Sequence, residues 1–186
     1  MAEGRAADSS ARETPAGSVP GRLPEGVRLE RLRADHAPAV LAFELENRAY
    51  FAKHIADRGD EYFAEFDARH QSLVDDQAAG ELHFHVLVDA EGKVIGRVNL
   101  VDVADGSAEL GYRIAESATG RGLATAAVLE VCALAARDYG LRELRAGTHV
   151  ENAASRAVLD RTGFEVVGES IYNGRPNLTY RRSLTV

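Results

Sequence analysis

The chain has 186 residues, 45% of them apolar and 27% charged, which is material for one core and not two. No apolar run approaches the roughly eighteen residues of a membrane-spanning helix, so such a helix is excluded and a soluble protein expected, and a single cysteine, with no disulfide framework, adds the expectation of a cytoplasmic location. The net charge of -7 excludes duplex nucleic acid as the main partner and suits a cationic amine better.

Residues 1 to 26 are small, polar and proline-containing and lack the apolar stretch of a secretory signal, so they read as a flexible tail, with 27 to 186 as the folded domain. Val27 to Arg33 alternates as a first strand. Asp35 can cap a helix carrying Val40, Leu41, Phe43 and Leu45, and a second helix spaces Tyr62, Phe63, Phe66, Leu73 and Val74 until Gly80 ends it. The period then changes to two through three antiparallel strands, turning at Ala90-Glu91-Gly92 and at Asp105-Gly106. A helix from Gly120 to Tyr139, a strand ending near Val150, a helix from Asn152 to Thr162 and two strands joined at Asn173-Gly174 complete the chain. The fold class is α/β, an α+β arrangement on a mixed sheet, in the order β-α-α-β-β-β-α-β-α-β-β. Cys132, flanked by Val131 and Ala133 in the long helix, reads as a small buried hydrophobe. His83 and His85 alternate along one strand, but no third ligand is evident and no metal is expected.

The stretch Thr119-Gly120-Arg121-Gly122-Leu123-Ala124-Thr125 opens the long helix. Glycines here let a ligand approach the backbone, and free first-turn N–H groups suit pyrophosphate, although glycine also serves an ordinary helix start. A P-loop would need Gly-Lys-Ser/Thr, and a dinucleotide fingerprint would need glycine or alanine where Thr125 stands. The stretch resembles the acetyl-CoA signature of the GNAT N-acetyltransferase superfamily, Gln/Arg-x-x-Gly-x-Gly/Ala, with Thr119, Gly122 and Ala124 at its specified positions; Thr119 departs from the usual Gln or Arg. Asn152-Ala153-Ala154-Ser155 followed by Gly163-Phe164 resembles the family's Asn-x-x-Ser... Gly-Phe element. The segments Glu109-Leu110-Gly111-Tyr112 and Tyr172-Asn173-Gly174-Arg175 look most like the RimJ/RimL branch, which acetylates ribosomal-protein N termini.

The resemblance implies acetyl-CoA as cosubstrate without a metal, an amine acceptor, and a monomer or homodimer. It implies a fourth strand that splays near Ile114 and Ala115, leaving a backbone N–H for the thioester oxygen. Glu109 is then the expected general base, with Tyr172 or Ser155 as general acid; Glu109 reads equally as a solvated residue paired with Arg113, Tyr172 as a strand aromatic and Ser155 as part of a helix start. Asn152 can both cap its helix and meet the pantetheine arm, while Arg121 and Arg156 can meet phosphates. Glu46, Asn47, Tyr50 and Phe51 are expected to hold a cationic acceptor amine. Alternatives are acetylation of a small amine (polyamine, amino acid or aminoglycoside) and a non-catalytic acyl-CoA sensor; a nucleotide-binding module ranks last.

Overall fold

The computed structural model describes residues 21–184. Residues 1–20 of the expected tail lie outside them; residues 21–26 run as turns, with Leu23 packed against the core.

The alternation after Val27 forms β1 (Arg28–Arg31). Asp35 does not cap the next helix: it lies in a 3-10 turn, paired with Arg33 at 3.0 Å. Helix α1 (Ala37–Glu46) starts one turn later with Pro38 in its first turn, where a missing N–H costs nothing. Four helices precede the main sheet where periodicity predicts two: α1, α2 (Arg48–Phe51), α3 (Asp60–Ala64) and α4 (Phe66–Ala79). The breaks fall at Asn47 and Glu65, at φ -104 and -102 with ψ 6 and 14. Phe63 and Phe66 keep helical spacing across Glu65, so the apolar period runs through the break unmarked.

Strands β2 (His83–Val88), β3 (Val94–Ala104) and β4 (Ser107–Ile114) form the expected meander, and Asp105 and Gly106 both take the positive φ of its tight turn. Helix α5 (Leu123–Arg137), β5 (Glu143–His149), α6 (Ala153–Arg161), β6 (Glu165–Tyr172) and β7 (Arg175–Ser183) follow in the predicted order. One mixed sheet runs β1-β2-β3-β4-β5-β7-β6, with β4 and β5 parallel and every other neighbouring pair antiparallel. The second strand of the last hairpin lies against β5, which leaves β6 at the edge.

Helix α5 buries Ala127, Val128, Val131 and Cys132 against the sheet face carrying Val98, Leu100, Ala108 and Leu110, and α1 lies on the opposite face. Burial pushes the Cys132 thiol up, as befits a packing residue. His83 stacks on Tyr139 with centroids 3.7 Å apart, and His85 Nε2 lies 2.7 Å from the Tyr139 hydroxyl, so both histidines serve this contact. Among the described residues no group of three His, Cys, Asp or Glu side chains could hold a metal, and no helix is long and apolar enough to cross a membrane.

Candidate active site

Strands β4 and β5 part company early. They pair only at Ser107–Glu143, Ala108–Leu144 and Glu109–Arg145, although β4 continues to Ile114 and β5 to His149. In the antiparallel ladder with β3 the register sets Arg113 opposite Arg97, and Ala115 donates to the Ile95 carbonyl at 2.9 Å. Hydrogen bonding to β3 therefore uses the odd positions, and alternation turns the N–H groups of Tyr112 and Ile114, beyond the last β4–β5 pair at Glu109–Arg145, toward β5 and into the gap. This is the splay expected at Ile114. Gly96, opposite Ile114 in the β3–β4 ladder, leaves room for its side chain: a Cβ there would stand 2.9 Å from Ile114 Cδ1 and 2.8 Å from Leu87 Cδ1.

The gap opens into a cleft of about 380 Å³. Gly111, Tyr112 and Ile114 form its β4 wall, Thr119 and Ala124 its α5 end, Asn152 and Ser155 its α6 side, and Tyr50, Phe51 and His54 its α2 side. At the α5 end Gly120 and Gly122 adopt φ 77 and 75, and a Cβ on either would meet nothing within 4 Å. Gly122 is the N-cap of α5 and offers no side chain, so the first-turn N–H groups around Leu123, Ala124 and Thr125 remain available to an anion, aided by the helix dipole. Exposed Arg121 stands beside them, its guanidinium donating to the Ser117 carbonyl at 2.7 Å. The loop thus fits a pyrophosphate: open space, uncapped donors and a nearby cation.

Asn152 does cap α6, accepting from the Ser155 N–H at 3.1 Å, while also lining the cleft. Ser155 Oγ lies 2.9 Å from the Tyr112 hydroxyl, and that hydroxyl also donates to the Ser155 carbonyl at 3.2 Å. Burial pushes the Tyr112 phenol up to about 12, so it is protonated at neutral pH and available as a donor.

Several expected residues stand elsewhere. Tyr172 is 61% exposed on the edge strand β6, its ring 6.0 Å from that of His149 at the end of β5, and it is outside the cleft lining. Glu109 shares a sheet face with Gly111 and Arg113 but is exposed and lies outside the cleft lining, where β4 is still paired with β5. Arg156 donates to the Val150 carbonyl at 3.1 Å and does not reach the α5 loop. Glu46 points away, paired with Lys93 at 2.7 Å. Buried Asn47 has a framework role: it donates to the Phe43 carbonyl and accepts from the Glu116 N–H, both at 2.9 Å, tying α1 to the segment after β4.

Tyr112, His54, Arg58, Arg97 and Asn99 line the cleft and escaped the sequence reading. The alternation around Tyr112 marks it as a core-facing position, and no motif marks the others. Behind them Glu44, 1% exposed on α1, receives Arg97 at 2.7 Å, Arg113 at 3.0 Å and Arg58 at 3.7 Å. Burial pushes Arg113 down to about 10.

Residues 27–165 match the family model described as Acetyltransferase (GNAT) domain. The probable N-acetyltransferase YjcK of Bacillus subtilis (strain 168) is 27% identical over 153 residues, spanning 78% of this chain and 84% of that one. Ribosomal-protein-S5-alanine acetyltransferase from Vibrio fischeri superposes with a TM-score of 0.82 at 20% identity, over 86% of this chain and 94% of the other. Mycobacterium smegmatis RimJ in complex with CoA-disulfide gives 0.76 at 25% identity, over 87% and 84%.

Proposed function

The chain belongs to the GNAT acetyltransferase family, and from that premise we propose that its cleft binds acetyl-CoA and transfers the acetyl group directly to a primary amine in a ternary complex. The observation that carries this reading is the coincidence of two features: an uncapped, glycine-lined α5 N-terminus, and a β4 edge whose N–H groups face an open gap. Acetyl-CoA, when bound, supplies the acetyl group as a thioester open to attack by an amine.

The chain's own residues fit the remaining tasks. The α5 first turn and Arg121 hold pyrophosphate, and the unpaired β4 edge pairs with the pantetheine amides as an added strand would. The Ile114 N–H holds the carbonyl oxygen as charge develops on it. His54, at the α2 side of the cleft, accepts the proton released as the ammonium becomes a nucleophile. Glu109 could reach that proton only through water from outside the lining. As the new C–N bond forms and the C–S bond breaks, Ser155 gives a proton to the departing sulfur, and the second proton shed by the nitrogen is passed through the Tyr112 hydroxyl, 2.9 Å away, back to Ser155, leaving both hydroxyls as they began.

Titration calorimetry with acetyl-CoA tests the reading, with Gly122→Glu as control. The substitution puts a negative charge at the anion site and a side chain at φ 75, a conformation costing roughly 1–2 kcal/mol for a residue with a Cβ. Binding by the wild type and its loss in the variant are expected; a folded wild-type protein that ignores acetyl-CoA would overturn the reading. Among acceptors we favour a protein N-terminal α-amine, the likeness to the ribosomal-protein-S5-alanine acetyltransferase of Vibrio fischeri supporting a ribosomal-protein substrate.

A further inference from the structure

The cleft wall opposite the cofactor loop carries a charge imbalance that acetyl transfer as such does not use. Arg58, Arg97 and Arg113 surround one carboxylate, Glu44, leaving two positive charges uncompensated in a largely buried setting. Nearby carboxylates are engaged: Asp57 and Asp60 pair with Arg48 at 2.6 and 2.8 Å, and Glu65 pairs with Arg69 at 2.7 Å. No Asp or Glu among the described residues lines the cleft.

Arg97, only 6% exposed, and Arg58 both line the cleft and also a second cavity of about 310 Å³ behind it, so the two spaces meet at this pair. The Nε atoms of Arg58 and Arg97 are buried without a hydrogen-bond partner among the described residues. Aromatic rings steady the guanidiniums, with Tyr62 4.4 Å from Arg58 and Phe84 5.3 Å from Arg97, but supply no counter-charge. Glu44 is the one anion these three cations share, so positive charge and donors are left over, and the space beside them is the space an acceptor would fill.

Resting on the acetyl-transfer reading and deepening it, we propose that the acceptor is an amine that also carries a carboxylate, which Arg58 and Arg97 hold where the two cavities meet. A planar guanidinium pair matches a carboxylate through two parallel N–H···O bonds. Arg97 faces Arg113 across the β3–β4 ladder, one residue from Ile114, so a carboxylate there lies within a short chain of an amine poised at the Ile114 N–H. The same positive field lowers the pKa of the bound amine and favours its nucleophilic free base, while the acceptor's own carboxylate offsets the repulsion that a plain cation would meet. The overall charge of -7 does not describe this wall, where three arginines meet one carboxylate.

The test is acetylation measured by thiol release on matched amines in two arms. One compares short ω-aminoalkanoates with their carboxamides; the other compares the C-terminally amidated peptides Ala-Glu-Ala, Ala-Gln-Ala and Ala-Lys-Ala. A kcat/KM at least about tenfold higher for the carboxylate in either arm is expected, and the responding arm identifies a small-molecule or a polypeptide source. Arg58→Gln, at a partly exposed position, should erase that ratio, Arg58→Lys should restore part of it, and neither should alter acetyl-CoA affinity. Ratios near one in both arms, preference for the lysine peptide or for a phosphorylated amine, or an unchanged ratio in Arg58→Gln would overturn the proposal. Absence of acetyl-CoA binding would sink the acetyl-transfer reading itself, whereas intact binding with flat ratios sinks only the carboxylate-bearing acceptor.

Discussion

Replacing Glu44 by Gln keeps the side chain's shape and removes its charge, leaving three guanidiniums within 2.7 to 3.7 Å of a neutral amide. Because Glu44 is 1% exposed and Arg97 6%, solvent cannot screen the three cations left behind. Removing one partner of a buried ion pair typically costs about 3–5 kcal/mol. For a domain of this size each kcal/mol lowers the melting temperature by about 2–4 °C, so a fall of about 6–20 °C is expected. Domains are stable by roughly 5–15 kcal/mol, so the variant should still fold in the cold. Glu46→Gln is the internal control, two residues along the same helix: its partner Lys93 is a surface residue, and surface pairs contribute little. Urea and thermal unfolding of both variants at low and high salt provide the assay. The Glu44 loss should persist in high salt, since screening acts on exposed charges, while Glu46→Gln should match wild type. Equal stability of the two variants would refute the claim that Glu44 anchors the arginine wall.

Further expectations concern the reaction and the response to pH. Tyr112→Phe and Ser155→Ala should each lower kcat roughly 10- to 100-fold with acetyl-CoA affinity unchanged, whereas Tyr172→Phe, exposed on the edge strand, should leave kcat near wild type; the reverse ranking would return the acid role to Tyr172. His54→Gln should lower kcat/KM while Glu109→Gln leaves it near wild type, and the opposite result would move the base to Glu109 acting through water. Burial lowers His85 to about 4 from its ordinary 6.5. The unfolded chain therefore takes up the proton first, and the fold loses about 3 kcal/mol as pH falls from 6.5 to 4, stability being complete above that window. His85→Gln should flatten this slope in urea titrations at several pH values; an unchanged slope would assign acid sensitivity to other groups.

The order of the elements was legible because the signals that mark them are local. Period-two alternation in β2 to β4, the positive-φ pairs Asp105-Gly106 and Asn173-Gly174, and glycine at the end of α4 report their geometry from adjacent residues. The glycine-lined start of α5 was legible for the same reason: Thr119 to Ala124 is one loop feeding one helix, and the donors proposed to meet the cofactor belong to its own backbone. Asn152 and Ser155, one turn apart, belong to the same class.

What the tertiary structure alone decided depends on residues distant in sequence. Strand β7 inserts between β5 and β6, and that pairing carries Tyr172 out to the edge while leaving Tyr112 to meet Ser155 across 43 positions. The break at Glu65 falls where apolar spacing continues, so packing and not pattern places α3 and α4. Net charge, a sum over the whole chain, says nothing of the sign at one wall: a chain of charge -7 gathers three arginines about Glu44 from α1, the loop before α3, β3 and β4. Local backbone chemistry, written in neighbouring residues, determined the fold's elements and the glycine-lined start of α5. The arginine wall proposed to meet the acceptor, assembled from four separate segments by long-range packing, could be read only once they had come together.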